Sequence, residues 1–86
     1  MSSRIAVIGT GYVGLTTGAC FAQLGHDVTC ADIDPDKVAM LNEGRIPIHE
    51  EGLEPIVEEA IRAGRLRFVL GAANAVEGRE FVYLCV

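Results

Sequence analysis

The sequence predicts an α/β fold, a parallel sheet covered by helices, and three observations carry that reading. Four apolar residues, Ile5, Ala6, Val7 and Ile8, run straight into Gly9, Gly11 and Gly14, spaced G-x-G-x-x-G. A second stretch, residues 26–33, carries Asp32 near its end, with Asp34 two positions further on. Segments of helical periodicity follow each stretch, so strand and helix alternate along the chain. Alternation of this kind belongs to parallel sheets whose strands are joined by crossover helices. The pattern describes a partial Rossmann-type sheet of strand order 3-2-1-4, an incomplete dinucleotide-binding domain.

The first strand spans residues 4–8, and its unbroken apolar run suits a central parallel strand covered on both faces. Each glycine after it has a separate task. Gly9 allows the sharp turn from strand to helix, Gly11 lets the backbone approach a pyrophosphate with no Cβ between them, and Gly14 permits close packing of helix on strand. The amide groups at the start of the helix, at the positive end of its dipole, hold the phosphate charge. The turn Gly9, Thr10, Gly11, Tyr12, Val13 and Gly14 is therefore the candidate pyrophosphate site. The first helix is expected over residues 11–24, with Val13, Thr17, Cys20 and Leu24 on one stripe, Leu15, Ala19 and Ala22 beside it, and Gly25 as a left-handed stop. Gly14 and Gly18, four apart, form a small-residue stripe that would let this helix sit close to the sheet.

The second strand, residues 26–33, carries Asp32 eighteen positions after Gly14. That spacing places a carboxylate where a nicotinamide-dinucleotide domain grips the adenosine ribose. A carboxylate there accepts hydrogen bonds from ribose hydroxyls and repels the additional phosphate of NADP, so the cofactor expected is NAD. Asp34 and Pro35 read as the N-cap and first position of a second helix through Val38 and Leu41, ending at Gly44. The link at residues 45–51 contains Ile46, Pro47 and Ile48 and is expected to pack on the domain. Leu53, Ile56, Val57, Ala60 and Ile61 then give the clearest amphipathic helix of the chain, with Glu50 and Glu51 as a solvated approach, Glu54 in its first turn, Arg62 in its last turn and Gly64 as its stop. Residues 65–70 alternate and suit an edge strand, where charge discourages unwanted pairing. Residues 71–79 form a short link with room for one helical turn, and residues 81–86 form a fourth, wholly apolar strand.

Composition narrows the function classes. The 86 residues carry a net charge of −5 and are half apolar, which opposes nucleic-acid binding, since that requires a basic face. Arg62, Arg65 and Arg67, the main basic group, are expected to complement a helix end. A chain of this length buries only roughly 60–65% of its unfolded surface, and a full dinucleotide-binding domain needs two mononucleotide-binding halves. The chain is thus expected to be the front piece of a longer protein. Cys20, Cys30 and Cys85 lie far apart, and His26 and His49 have no partners at ligand spacing. Reduced, buried thiols in the cytoplasm and no metal site are the expectation. Residues 5–25 carry no charge, but five glycines, three threonines and Gln23 dilute the run, so a buried helix explains it better than a signal or membrane segment.

With these motifs in order, the chain resembles the N-terminal region of the UDP-glucose 6-dehydrogenase family, related to GDP-mannose dehydrogenases. The resemblance rests on residues 4–14, Gly18, Ala19 and Cys20, residues 25–28, residues 32–34, Lys37 and Val38, and residues 46–48 through Gly52 and Leu53. It implies that the domain binds NAD and that the parent enzyme oxidises the sugar 6-hydroxymethyl group to a carboxylate through a cysteine thioester. By position, the turn would hold the pyrophosphate and Asp32 the ribose. Lys37 would lie near that ribose or its phosphate, and Val86 would open a segment lining the cofactor crevice. The chain differs from many relatives at His49 and Glu51, where they carry an aromatic residue and a proline. The family's nucleophilic cysteine and sugar-nucleotide site lie beyond Val86, and none of the three cysteines here matches that nucleophile.

The leading expectation is an NAD-binding portion of a UDP-glucose 6-dehydrogenase, inactive alone, with a UDP-sugar as the parent's substrate. The alternatives are another NAD-linked enzyme, such as a hydroxyacyl-CoA or hydroxy-acid dehydrogenase, and a non-catalytic dinucleotide-sensing module. Right-handed crossovers put the helices joining the first three strands on one face. The link at residues 71–79 is too short to cover the other. That face and the outer edge of the fourth strand should be apolar and exposed, which invites self-association.

Overall fold

A computed structural model describes residues 2–47 and 52–85. Its elements in chain order are β1 (Arg4–Ile8), α1 (Tyr12–Gln23), β2 (Asp27–Asp32), α2 (Pro35–Asn42), α3 (Leu53–Arg62), β3 (Leu66–Leu70), α4 (Ala73–Val76) and β4 (Phe81–Leu84). The four strands form one sheet of order β3-β2-β1-β4, and every pairing is parallel. In the centre Val7 lies between Cys30 and Tyr83 in register. The expected α/β class and strand order are both observed.

Strand alternation divides the apolar residues between two faces. Ile5 and Val7 of β1, Val28 and Cys30 of β2, and Leu66 and Phe68 of β3 join Leu15, Ala19 and Ala22 of α1, Leu41 of α2, and Leu53, Val57 and Ala60 of α3 in one core. Leu15 and Leu41 are wholly buried, each contributing about 1.5–3 kcal/mol by leaving water. Ala6 and Ala31 point to the other face and meet Ala75 of α4, with Ile8 and Val69 packed alongside. This corrects the expectation of an uncovered second face. One helical turn reaches it because the residues it meets are alanines, which leave room for a backbone to approach. A continuous run of exposed apolar residues remains on β4, Phe81, Val82, Tyr83 and Leu84, and Leu70 and Val76 are exposed as well.

Helix α1 turns a different side to the core than its aliphatic stripe indicates. Gly14, Leu15, Gly18, Ala19 and Ala22 are buried, whereas Val13, Cys20 and Leu24 are exposed. The small-residue stripe wins because the helix lies against the sheet: a Cβ on Gly18 would come within 2.6 Å of Cys30 Sγ. Exposure of Cys20 also corrects the expectation that all three thiols are buried, which holds fully only for Cys30.

Two polar ties fix the other elements. Asn42, the last residue of α2, accepts from the Phe68 amide at 3.0 Å and donates to the Phe68 carbonyl at 2.8 Å, so a side-chain amide occupies one rung of the open edge of β3. Arg67 and Arg79 converge on Asp27: Arg67 donates to Asp27 at 2.7 Å, Thr29 at 3.0 Å and the Gly64 carbonyl at 2.8 Å, and Arg79 donates to Asp27 at 3.3 Å. Arg65 donates to the Ala22 carbonyl at 3.0 Å. Of the three arginines expected at a helix end, only Arg62 stands in the last turn of α3; the other two cross-link strands and helices. In the link after α2, Ile46 packs against the core and Pro47 is exposed. Ile48, His49, Glu50 and Glu51 lie outside the described residues.

Candidate functional site

Parallel strands end together, so the carboxyl ends of β1 and β2 bring the glycine turn and Asp32 to one edge of the sheet. Gly9 takes φ 102°, a conformation open to glycine, and its amide donates to the Ala31 carbonyl at 2.8 Å, which ties the turn to β2. Gly14 is buried against that turn: a Cβ there would stand 1.8 Å from the Gly9 carbonyl oxygen. Gly11 is the reverse case. It is the N-cap of α1 with φ −71°, it has no side chain of its own to cap the helix, and a Cβ on it would meet nothing within 4 Å. The helix therefore offers its positive end to open space over a residue with no side chain, which fits an anionic group approaching the backbone.

Asp32 stands at the end of β2. One carboxylate oxygen accepts from the Ile33 amide at 2.7 Å and the Asp34 amide at 3.1 Å; the other accepts from the Thr10 amide at 3.2 Å and from the Thr10 hydroxyl. Lys37 Nζ lies 3.7 Å from that second oxygen. Partial burial works to raise the Asp32 pKa, and the bonds from the Thr10 hydroxyl and the Asp34, Thr10 and Ile33 amides outweigh it, holding the carboxyl at about 2. The group is thus a fixed anion at neutral pH, and it presents an acceptor to neutral hydroxyls and a repulsive charge to phosphate. Asp34 caps α2, accepting from the Asp36 amide at 3.0 Å and the Lys37 amide at 3.3 Å, with Pro35 at the first position. Division of labour between the two acids follows: Asp34 starts a helix, and Asp32 faces the turn.

A cleft of about 200 Å³ beside these groups is lined by Ile8, Gly9, Ala31, Asp32, Ile33 and Ala72. Ile33 is 90% exposed, an unusual position for a large aliphatic side chain next to an acid, and it forms an apolar wall at the mouth of the cleft. A second cleft, of about 260 Å³, lies on the helical face between Gln23 and α3, away from the strand ends.

Gly9, Thr10, Gly11, Tyr12, Val13, Gly14, Asp32 and Lys37 are thus gathered at one edge, with Tyr12 and Val13 exposed in the first turn of α1. Val86 lies outside the described residues. Two contributors are not legible from motif spacing: the Thr10 side chain as a partner of Asp32, and the wall made by Ile33 and Ala72. The signal for the second is an isoleucine directly after the acid at a strand end, where the chain leaves the sheet. Cys30 is chemically quiet: burial pushes its thiol up to about 12, and Cys85 nearby adds to the shift. No group of three or more His, Cys, Asp or Glu that could hold a metal ion occurs among the described residues, and none of their helices is long and apolar enough to cross a membrane.

Residues 3–86 match the NAD binding domain of the UDP-glucose/GDP-mannose dehydrogenase family. The chain is 46% identical over 83 residues to UDP-glucose 6-dehydrogenase TuaD of Bacillus subtilis, covering 96% of this chain and 18% of that protein. Among solved structures, a UDP-glucose dehydrogenase from the archaeon Pyrobaculum islandicum superposes with a TM-score of 0.94 at 37% identity, over 100% of this chain and 20% of that one. A GDP-mannose dehydrogenase from Pseudomonas aeruginosa, solved as a ternary complex, gives 0.91 at 34% identity over 96% of this chain and 19% of that one. The chain therefore spans about a fifth of the length of the relatives it matches.

Proposed function

Since this chain belongs to the UDP-glucose/GDP-mannose dehydrogenase family, whose NAD binding domain it matches, we propose that it holds the cofactor of an NAD-dependent UDP-glucose 6-dehydrogenase. The whole enzyme would oxidise UDP-glucose to UDP-glucuronate. The observation that carries the reading is the meeting of the α1 N-terminus, opened by Gly11 with its bare backbone, with the fixed anion of Asp32 at the ends of β1 and β2. NAD supplies the hydride acceptor; everything the 86 residues do concerns holding it. Gly9, Thr10, Gly11, Tyr12, Val13 and Gly14 would bind the pyrophosphate through the turn and the α1 dipole. Asp32 would accept from the adenosine ribose hydroxyls, Lys37 would stay close to that ribose or its phosphate, and the cleft beside Ile33 and Ala72 would shelter the adenine. Val86 is retained as a member of the site on the family resemblance alone.

Residues 1–86 would by themselves bind NAD without turning over sugar. Cys30 is buried and protonated, and neither Cys20 nor Cys85 sits in the nucleophile motif of the family. The relatives include enzymes named for UDP-glucose and for GDP-mannose, and UDP-glucose is favoured by the 46% identity to the former against 40% for the GDP-mannose enzyme of Azotobacter vinelandii. A cytoplasmic protein is the reading the dehydrogenase relatives support. The exposed row Phe81, Val82, Tyr83 and Leu84 on β4 supports self-association of the isolated chain, each copy covering the other's apolar strand.

Calorimetric titration with NAD and NADP tests the cofactor site. NAD should bind and NADP should bind more weakly, because its additional phosphate meets the Asp32 carboxylate. Asp32→Ala should weaken NAD by about 1–3 kcal/mol, the worth of hydrogen bonds to a charged acceptor. Equal binding of the two dinucleotides, or an unchanged NAD affinity in the variant, would refute this placement of the ribose.

A further inference from the structure

Four donors of the chain hold the Asp32 carboxylate in place: the amides of Ile33, Asp34 and Thr10, and the Thr10 hydroxyl. The first two amides belong to the bend that follows β2 and move only with it. Both Thr10 donors come from another element, the glycine turn, and Thr10 itself is 1% exposed. Its hydroxyl is the only side-chain hydrogen-bond donor to Asp32 among the described residues, since Lys37 at 3.7 Å is an ion pair beyond hydrogen-bond reach. Asp34, the nearest other carboxylate in sequence, is directed to the amides of Asp36 and Lys37. We propose that Thr10 is a positioning residue: its buried hydroxyl locks the Asp32 carboxylate to the glycine turn, so that the pyrophosphate-binding and ribose-binding groups are held at a fixed separation before the dinucleotide arrives.

The gain from this lock is pre-organisation. A carboxylate on a strand end can rotate about two side-chain bonds, and each rotamer lost on binding weakens the complex. Hydrogen bonds to a charged acceptor from a turn that is itself fixed by the Gly9 to Ala31 bond remove that freedom in advance. Threonine suits the position because its branched side chain is stiff about its first bond, so the hydroxyl direction is set by the backbone of the turn. A residue in the pyrophosphate loop thereby acts on a part of the ligand it need not touch.

This rests on the cofactor reading above, and the experiment separates the two. Thr10→Val removes the hydroxyl at nearly constant shape, and Thr10→Ser restores it; Thr10→Ala serves the same purpose should the valine variant not fold. Two quantities are read on the intact chain: NAD affinity by calorimetry, and the protonation of the Asp32 carboxyl by carbon NMR between pH 2 and 6. The valine variant should bind NAD about three- to tenfold more weakly, and its Asp32 carboxyl should titrate higher, toward the ordinary carboxylate range. The serine variant, which keeps the hydroxyl without the branch, should recover most of both, binding NAD within about threefold of the wild type. If the valine variant binds NAD as the wild type does, or if its Asp32 titration does not move, the positioning role is overturned while the cofactor site stands. A wild-type chain that binds no NAD overturns the cofactor reading and this role with it.

Discussion

Gly11 and Gly14 lie three residues apart in one turn, and a methyl group added to each would have opposite consequences. At Gly14 the new carbon would overlap the Gly9 carbonyl oxygen at 1.8 Å, and nothing but backbone can yield. Gly14→Ala should therefore destabilise the fold by about 3 kcal/mol or more, seen as a loss of denaturant midpoint. At Gly11 there is no atom within 4 Å and φ is −71°, so Gly11→Ala should leave stability within about 0.5 kcal/mol. Its methyl would instead stand in the space over the helix end, and NAD affinity should fall about tenfold or more. A Gly11 variant that unfolds would contradict the open space itself, and one that binds NAD normally would show that the space is not the ligand's. Spacing already assigned close packing to Gly14 and an approaching pyrophosphate to Gly11; the folded turn adds what stands beside each Cβ, backbone at Gly14 and open space at Gly11.

At the scale of elements, helices and strands were largely readable because apolar periodicity determines which residues can be buried together. The amphipathic pattern of α3 and the Asp34–Pro35 start of α2 needed no tertiary information. On α1 two stripes were legible, since Val13 and Leu24 are as apolar as Leu15; the small residues expected to sit close to the sheet take the inner face, and the tight fit at Gly18 shows why. Polar ties between elements were harder, because residues 27, 67 and 79 are brought together only by strand register. Asn42 illustrates the energetics. It makes two partly buried hydrogen bonds to Phe68, so Asn42→Ala should cost about 2 kcal/mol, whereas Glu43→Ala next to it, exposed and facing only Arg45, should stay within about 0.5 kcal/mol. Equal effects of the two would mean that the β3 edge does not depend on Asn42. The acid limb of stability belongs to this scale as well. Partial burial raises the pKa of Asp27 and Arg67 and Arg79 more than reverse it, while Asp32 is held at about 2. Groups with lowered folded pKa stabilise fully above the unfolded value of about 3.9. Their contribution falls away as pH drops through that value toward about 2. Unfolding followed against pH should show stability flat above pH 5 and declining below 4, with Asp27→Asn flattening part of the decline; a decline unaltered in that variant would remove Asp27 from the explanation.

At the scale of the molecule, the sheet has one well-covered face, one lightly covered face and an apolar outer strand. Helices α1, α2 and α3 share a core with the first three strands, α4 meets Ala6 and Ala31 on the other side, and β4 is largely exposed, with Tyr83 resting on Phe21 of α1. Fold class and strand order were legible because alternation of strand and helix permits few arrangements. Cover of the second face was not, since it turns on one alanine in a four-residue helix. Sedimentation of the chain should show concentration-dependent association, and Val82→Lys with Leu84→Lys should abolish it without loss of fold; a wild-type monomer at high concentration would refute this use of β4. The dinucleotide should lie across the ends of β1 and β2, held by the glycine turn and Asp32. Amide chemical-shift mapping during an NAD titration tests it most directly. The largest changes should fall on Gly9, Thr10, Gly11, Val13, Gly14, Asp32, Ile33 and Lys37. Changes centred instead on the groove between Gln23 and α3, or on β4 alone, would contradict it.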